Sequence, residues 1–306
     1  MLSEVIARTI PLLPRPLVER VAARYVAGGS EASAVALATA LRRQGFVTTV
    51  DMLGEDATSM DRAQVTVDAY ASLMRAMIAA RLDRNISIKL TQLGLRLQPE
   101  RSFKTLRGLL EMAAEWDFFI RFDMEDASVT DVTLDFYRRA RKIWPRVGPV
   151  LQSRLRRTVD DARQLAAEAA NIRLCKGIYP ESPEIAFTRP DEIRQSYVTA
   201  LELLLDAGCY VGVATHDPAL LDRAAVLAGE PPLEFQALLG VPIRTRLERL
   251  RDTGFTVRIY VPFGADWYAY GLRRLRENPQ VAAAIARSLF SRDRLSTQVD
   301  GDDGQV

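Results

Sequence analysis

Short β-rich runs alternate with longer amphipathic runs along most of this chain, and that alternation limits its fold more than any other feature. Eight runs carry the β-branched, aromatic and aliphatic residues of buried strands: 46–51, 86–90, 118–123, 150–152, 172–176, 210–215, 234–238 and 256–261. Between them lie helical stretches at 61–82, 99–115, 130–144, 158–170, 189–207, 217–228, 242–252 and 265–277. The first repeats Val65, Ala69, Leu73 and Ile78 near a 3.6-residue period. Helix starts are marked by Thr130 before Asp131, by Asp160 and Asp161 in a first turn, and by Asp217 as N-cap with Pro218 at N1. Gly208 and Gly254 mark two ends.

Eight β–α repeats predict an α/β fold of the (βα)8 TIM-barrel type, a single domain in spite of the 306-residue length. A doubly wound sheet is the rival. That fold opens with a glycine-rich βα turn, and the chain has no GxGxxG. The barrel is placed at 46–290. A helical N-terminal extension covers 1–45, with helices at 16–27 and 32–43 broken at Gly28-Gly29-Ser30, and 291–306 is a polar tail.

The net charge of +2 argues against nucleic acid as a partner. Among 41 basic residues only four are lysines, which makes Lys89 and Lys176 conspicuous. A single histidine, His216, excludes a multi-histidine zinc site, and no metal is expected. Cys175 and Cys209 lie in apolar runs and read as buried free thiols of a reducing compartment. No run approaches the ~20 apolar residues of a membrane span, and no signal peptide is legible.

A charge inside a barrel strand is unfavourable unless it is paired or faces the mouth. Yet the strand C-termini carry Asp51, Lys89, Asp123, Gln152, Arg173 with Lys176, Thr215 with His216, Gln236 and Tyr260. One such residue reads as a structural ion pair; a series on nearly every strand reads as an active site, which this fold builds at that end. The last helix adds Tyr270, Arg273, Arg274 and Glu277, within reach of one another along one side. Two adjacent guanidiniums near one carboxylate suit a bidentate grip on a carboxylate or phosphate, although an exposed Arg/Glu face would look the same.

In these residues the chain resembles the proline dehydrogenase family. The motifs run in order from Asp51 to Asn278: DMLGE at 51–55, SIKLTQLG at 87–94, RFDME at 121–125, LQS at 151–153, RLCKGIY at 173–179, ATH at 214–216, FQALLG at 235–240, RIYVPFG at 258–264 and YGLRRLREN at 270–278. Pro180 stands where many relatives carry an aromatic residue. The length matches the short, monofunctional bacterial type.

The resemblance implies a distorted barrel that binds FAD without a Rossmann motif. It implies oxidation of L-proline to Δ1-pyrroline-5-carboxylate, with hydride passing to flavin N5 and electrons to a membrane quinone, as the first step of proline degradation to glutamate. A separate pyrroline-5-carboxylate (glutamate semialdehyde) dehydrogenase would take the product. The expected location is cytoplasmic, peripheral on the inner face of the cell membrane, with 16–27 or 282–290 as the contacting helix.

By motif match Lys89, Arg273 and Arg274 hold the proline carboxylate, and Glu277 braces the arginines. Asp123, Tyr179, Leu238, Tyr260 and Tyr270 line the substrate pocket. Met124, Gln152, Arg173, Lys176, Gly177, Ile178, Thr215, His216 and Gln236 contact the cofactor, and Glu55 is a gate that pairs with one arginine. Tyr260 leaves less room for a 4-hydroxyl, so proline is expected over hydroxyproline. Blander readings stand beside these: His216 as a satisfied polar residue, Tyr179 as packing, and Lys176 with Asp123 as a structural pair. The rival functions are a Schiff-base aldolase using Lys89 or Lys176, which needs a lysine of depressed pKa, and a non-catalytic anion-binding barrel.

Overall fold

A computed structural model describes residues 22–228, 233–268 and 270–272. The chain divides into two compact units, one of 23–267 and one formed by 1–22 with 268–306.

In the larger unit the eight expected runs form a closed barrel of parallel strands in sequential order. They are β1 (Val47–Met52), β2 (Asn85–Ile88), β3 (Phe119–Phe122), β4 (Val147–Gln152), β5 (Ile172–Cys175), β6 (Val211–Ala214), β7 (Leu233–Leu238) and β8 (Thr256–Phe263). Closure comes from β1 pairing with β8, in register from Val47 opposite Arg258 to Met52 opposite Phe263. Strand β4 begins three residues before the apolar run that signals it, and β8 continues two residues past Val261. Both extensions pass through a proline, which supplies no ladder N–H.

Helix α1 (Glu31–Arg43) packs against β1 and β8 through Ala34, Ala38 and Leu41. Its start is a reciprocal cap: Ser30 Oγ accepts from the Ser33 N–H at 3.2 Å, and Ser33 Oγ accepts from the Ser30 N–H at 3.3 Å. The others are α2 (Met60–Ala79), α3 (Pro99–Trp116), α4 (Thr130–Arg141), α5 (Thr158–Ala167), α6 (Pro190–Asp206), α7 (Pro218–Leu227) and α8 (Arg244–Asp252). Asp217 caps α7 as expected, accepting from the Ala219 N–H at 3.2 Å with Pro218 at the first position. Of the helix expected over 265–277, residues 265 and 266 form a turn, 267, 268 and 270–272 are helical, and 269 and 273–277 lie outside the described residues.

Three expectations are corrected. The buried stripe of α2 runs through Met60, Ala63, Val67, Tyr70, Ala71, Leu73, Met74 and Met77; of the expected positions Leu73 is fully buried and Ile78 packs against the core, while Val65 is 53% exposed. Val65 stands on the edge of the stripe, where a valine adds to the apolar count without being buried. Helix α4 is preceded by Val129 in the N-cap position rather than capped by Thr130. A short 3-10 turn at Ala127–Val129, capped by Asp126, runs straight into it. Cys209 is buried as expected but Cys175 is only half-buried; both thiols are free.

Period-two alternation separates the faces of each strand. Val50, Ile86, Ile88, Ile120, Phe122, Leu174, Val211, Val213, Phe235 and Val261 are fully buried hydrophobes of the core. The alternating residues meet across the lumen, as in Arg173 with Ser87 and Asp123, and Arg258 with Glu234. A barrel interior filled by Val, Ile and Leu is the usual arrangement; here much of it is a buried polar lattice. Ile86 is therefore a test of the outer, apolar layer. Ile86→Ala is expected to lower unfolding free energy by about 2–5 kcal/mol, read from chemical denaturation.

Candidate functional site

Asp123 follows β3 at the C-terminal end of the barrel and gathers groups from three other strands. Its Oδ1 accepts from Arg173 Nη1 on β5 at 2.6 Å and from Ser87 Oγ on β2 at 3.1 Å. Its Oδ2 accepts from the Tyr260 hydroxyl on β8 at 2.8 Å. Arg173 also donates from Nη1 to Ser87 Oγ at 3.1 Å and from Nε to Gln236 Oε1 at 2.6 Å. Its guanidinium lies 5.3 Å from the centroid of the Tyr260 ring. Five inward positions on five strands thus form one connected network, in a mostly buried setting where charge-assisted bonds are strong.

Lys89, just past β2, donates to both oxygens of Asp51 at 3.0 Å and lies 4.0 Å from Asp123 Oδ2. Burial opposes the ammonium, but Asp51 and Asp123 outweigh it and hold Lys89 above its ordinary range. Burial pushes the Asp51 carboxyl up to about 6, against the pull of Lys89, and nearby Asp123 adds to the rise. A Schiff-base lysine requires the opposite shift, so the aldolase reading loses Lys89 as its nucleophile. Glu125, two residues beyond Asp123, accepts from Thr91 Oγ1 at 2.6 Å and from the Thr91 N–H at 3.3 Å. Burial raises its carboxyl to about 7, with the Thr91 bonds and Lys89 opposing.

A second cluster sits past β4, β5 and β6. Gln152 Nε2 donates to the Glu125 carbonyl at 2.7 Å. Gly177, at φ +89°, leaves clear a space where a Cβ would come within 2.7 Å of Gln152 Oε1 and 2.9 Å of Arg154 Cδ. Lys176 Nζ is 3.1 Å and Arg194 Nε 2.7 Å from the same buried oxygen, Asp217 Oδ2. These two cations hold Asp217 below the usual carboxylate range, although burial pushes the other way. Both side chains remain nearly half-exposed, at 42% and 49%. Thr215 Oγ1 accepts from the Asp217 N–H at 3.2 Å, and His216 Nε2 accepts from the Leu238 N–H at 3.2 Å, so the ends of β6 and β7 are tied.

The expected site residues therefore separate into groups. Lys89, Asp123, Arg173, Gln236 and Tyr260 come together directly. Gln152, Gly177, Lys176, Thr215 and His216 stand on the adjacent strand ends. Met124 is buried, Tyr179 and Leu238 are half-buried, and Ile178 and Glu55 are exposed. Tyr270 is half-buried on helical residues of the smaller unit. Arg273, Arg274 and Glu277 lie outside the described residues.

The pair considered for Lys176 with Asp123 is not formed: Lys176 takes Asp217, and Asp123 takes Arg173. Lys176 leaves β5 beyond its last paired residue, on the side of α6 and α7, whereas Arg173 points into the lumen. Ser87, Thr91, Glu125 and Arg194 join the site without a role expected from the sequence, and Asp217, expected only as a helix cap, also holds Lys176 and Arg194. Glu125 stood inside a quoted motif, and its retained carboxylate beside the apolar β3 run was the available signal. Arg194 carried none, since it is one of many arginines on helices.

The Glu125 carboxyl keeps its proton to a higher pH in the fold than in the unfolded chain. Its contribution to stability is thus complete below about pH 4.5 and is lost as the pH rises through 7. Glu125→Gln is expected to remove that decline, an effect on the order of 1–3 kcal/mol. Denaturation curves at pH 5 and pH 8 for both proteins measure it.

Comparison with known proteins bears on this site. Proline dehydrogenase 1 of Bacillus subtilis is 34% identical over 276 residues, spanning 89% of this chain and 91% of the relative. The proline dehydrogenase of Deinococcus radiodurans is 35% identical over 288 residues, spanning 91% and 93%. Among solved structures, proline utilization A of Bdellovibrio bacteriovorus inactivated by N-propargylglycine superposes with a TM-score of 0.77 at 24% identity. That match covers 85% of this chain and 33% of the larger protein, and it supports the barrel fold. The proline dehydrogenase family profile matches residues 34–287, which include both clusters of polar strand ends, and with this identity along nine-tenths of its length the chain belongs to the proline dehydrogenase family.

Proposed function

We propose that this protein oxidises L-proline to Δ1-pyrroline-5-carboxylate with FAD held at the C-terminal mouth of the barrel, and that the electrons pass to a membrane quinone. The observation that carries the reading is the lattice joining Lys89, Asp51, Asp123, Arg173 and Tyr260, which sets one retained ammonium beside an aromatic hydroxyl at the mouth.

Two observations support a fit to FAD. Gly177 keeps a cradle open beside the Gln152 amide, suited to a flat ring system. Lys176 and Arg194, fixed by Asp217 yet partly exposed, offer two cations to a pyrophosphate. In this reading Met124, Gln152, Arg173, Lys176, Gly177, Ile178, Thr215, His216 and Gln236 hold the cofactor. Bound there, FAD supplies the acceptor for the hydride leaving the carbon next to the proline nitrogen.

The chain's own residues bind and orient. Proline is a small anion whose carboxylate loses its water on entry, so it needs more than one cation. Lys89, held charged by Asp51 and Asp123, is one; Arg273 and Arg274, braced by Glu277, supply a planar fork that also sets orientation. Asp123, Tyr179, Leu238, Tyr260 and Tyr270 shape the space for the ring, and Glu55 closes the entrance over one arginine. Because Tyr260 is anchored through its hydroxyl to Asp123, its ring cannot swing aside for a larger substrate. Among the described residues no helix is long and apolar enough to cross a membrane. Peripheral contact, as proposed, would use 16–27 or 282–290, of which all but 22–27 lies outside the described residues. A separate dehydrogenase would consume the product.

Purified protein is expected to be yellow, and anaerobic proline should bleach its visible bands; folded, colourless protein that takes up no FAD would overturn the reading. Arg273→Ala should lower kcat/KM for proline on the order of 10- to 100-fold, mainly through KM, since one charge-assisted bond is worth about 1.5–3 kcal/mol; steady-state kinetics with a dye acceptor checks it. trans-4-Hydroxy-L-proline should be turned over at least about tenfold less efficiently than proline, as one misfitting polar group in a shaped pocket costs about 1–3 kcal/mol.

A further inference from the structure

The opposite, N-terminal end of the barrel holds a cavity of about 250 Å³. At ~30 Å³ per water that is room for roughly eight waters, or for one small ion with part of its hydration shell. Four guanidiniums line it, those of Arg84, Arg121, Arg146 and Arg258, against two carboxylates, Asp83 and Glu234. The charges do not cancel pair by pair. Arg258 takes Glu234 through two bonds, of 2.8 and 3.0 Å, and Glu234 is further held by Gln236 and by the Tyr210 hydroxyl. Arg146 takes Asp117. Asp83 accepts from the Thr48 N–H at 3.0 Å.

Arg121 and Arg84 are left over. Arg121 is 2% exposed and donates only to neutral oxygens: the carbonyls of Pro149 at 3.1 Å and Asn171 at 2.7 Å, and Asn171 Oδ1 at 2.6 Å. Arg84 donates to the Trp116 carbonyl at 2.9 Å. Among the described residues neither has a carboxylate in ion-pair range. Burial first, and then the like charges of Arg173 and Arg258, lower the Arg121 pKa to about 9, with Glu234 and Asp123 opposing. The guanidinium therefore stays charged at neutral pH, and a buried charge without a carboxylate in contact is strongly unfavourable. The surroundings are nevertheless built for it. The ring of Phe119 lies 4.7 Å from the guanidinium carbon, and Gly148 is required beside it because a Cβ there would collide with Arg121 Nη1 and the Asn171 carbonyl.

We propose that this cavity binds a small inorganic oxyanion of the phosphate class, with Arg121 as its buried cation and Arg84 as its cation at the rim. An oxyanion neutralises two unmatched guanidiniums at once and accepts from several N–H donors, which a chloride ion or water does less well. The site lies at the end of the barrel away from the proposed chemistry and does not depend on that reading.

The test uses the full-length protein in thermal unfolding, titrated with inorganic phosphate at constant ionic strength made up with chloride. A saturable rise in melting temperature is expected, since an ion bound only to the fold stabilises it by mass action. Arg84 is exposed, so Arg84→Ala should fold normally by circular dichroism and should raise the half-saturating phosphate concentration at least tenfold. Arg121→Gln, if it folds, should abolish the response. Equal melting temperatures in phosphate and chloride would overturn the proposal, as would a response left unchanged by Arg84→Ala, which would mark a general salt effect.

Discussion

One carboxylate ties the working end of this barrel together. Asp123 accepts from Arg173, Ser87 and Tyr260, and it shares the field of Lys89 with Asp51. These groups come from β1, β2, β5 and β8 as well as β3, so the bonds cross the lumen instead of following the sheet. In a mostly buried environment such bonds are strong when complete, and an unmatched member is correspondingly unfavourable. The lattice therefore fixes Tyr260 and Lys89 in position, the kind of preorganisation that the proposed binding of a small anion would use.

The same logic runs down the axis. Gln236 passes from Arg173 to Glu234, and Glu234 passes to Arg258, so the mouth and the base of the lumen are joined by side chains of alternating polarity. At the mouth, Lys89 and Arg173 face Asp51 and Asp123, and the partly exposed Lys176 and Arg194 are fixed by Asp217. At the base the matching stops short, leaving Arg121 buried against neutral oxygens. Among the described residues the two ends thus differ in the partners of their buried cations: carboxylates for Lys89 and Arg173, neutral oxygens for Arg121.

Much of this was legible in the residues. Eight apolar runs separated by helical runs named the barrel, because a parallel strand buried on both faces has to be short and apolar where it meets the helices. Charges at the strand ends then stood out against that background, and Lys89, Asp123, Arg173, Gln236 and Tyr260 did come together. Where sequence and structure part, the reason is common. Apolar character alone does not say which face of a helix turns inward, so Val65 reads as core although it is exposed, and the 3-10 turn before Thr130 leaves no mark in composition. Spacing alone also allows Lys176 to meet Asp123, whereas three residues along β5 separate a side chain in the lumen from one outside it.

By itself the sequence determined the repeat, the closed barrel it implies, the end at which polar groups collect, and the family whose motifs those groups match. Each of these depends on order and spacing along the chain, which local propensity and periodicity express directly. Only the tertiary structure decided the pairings: Lys89 with Asp51, Asp123 with Arg173 and Tyr260, Asp217 between Lys176 and Arg194, and Arg121 with neutral oxygens and, among the described residues, no carboxylate in ion-pair range. Those partners are 23 to 137 residues apart. They meet because barrel closure and strand stagger set the height of each side chain in the lumen, and neither quantity is written in any one segment.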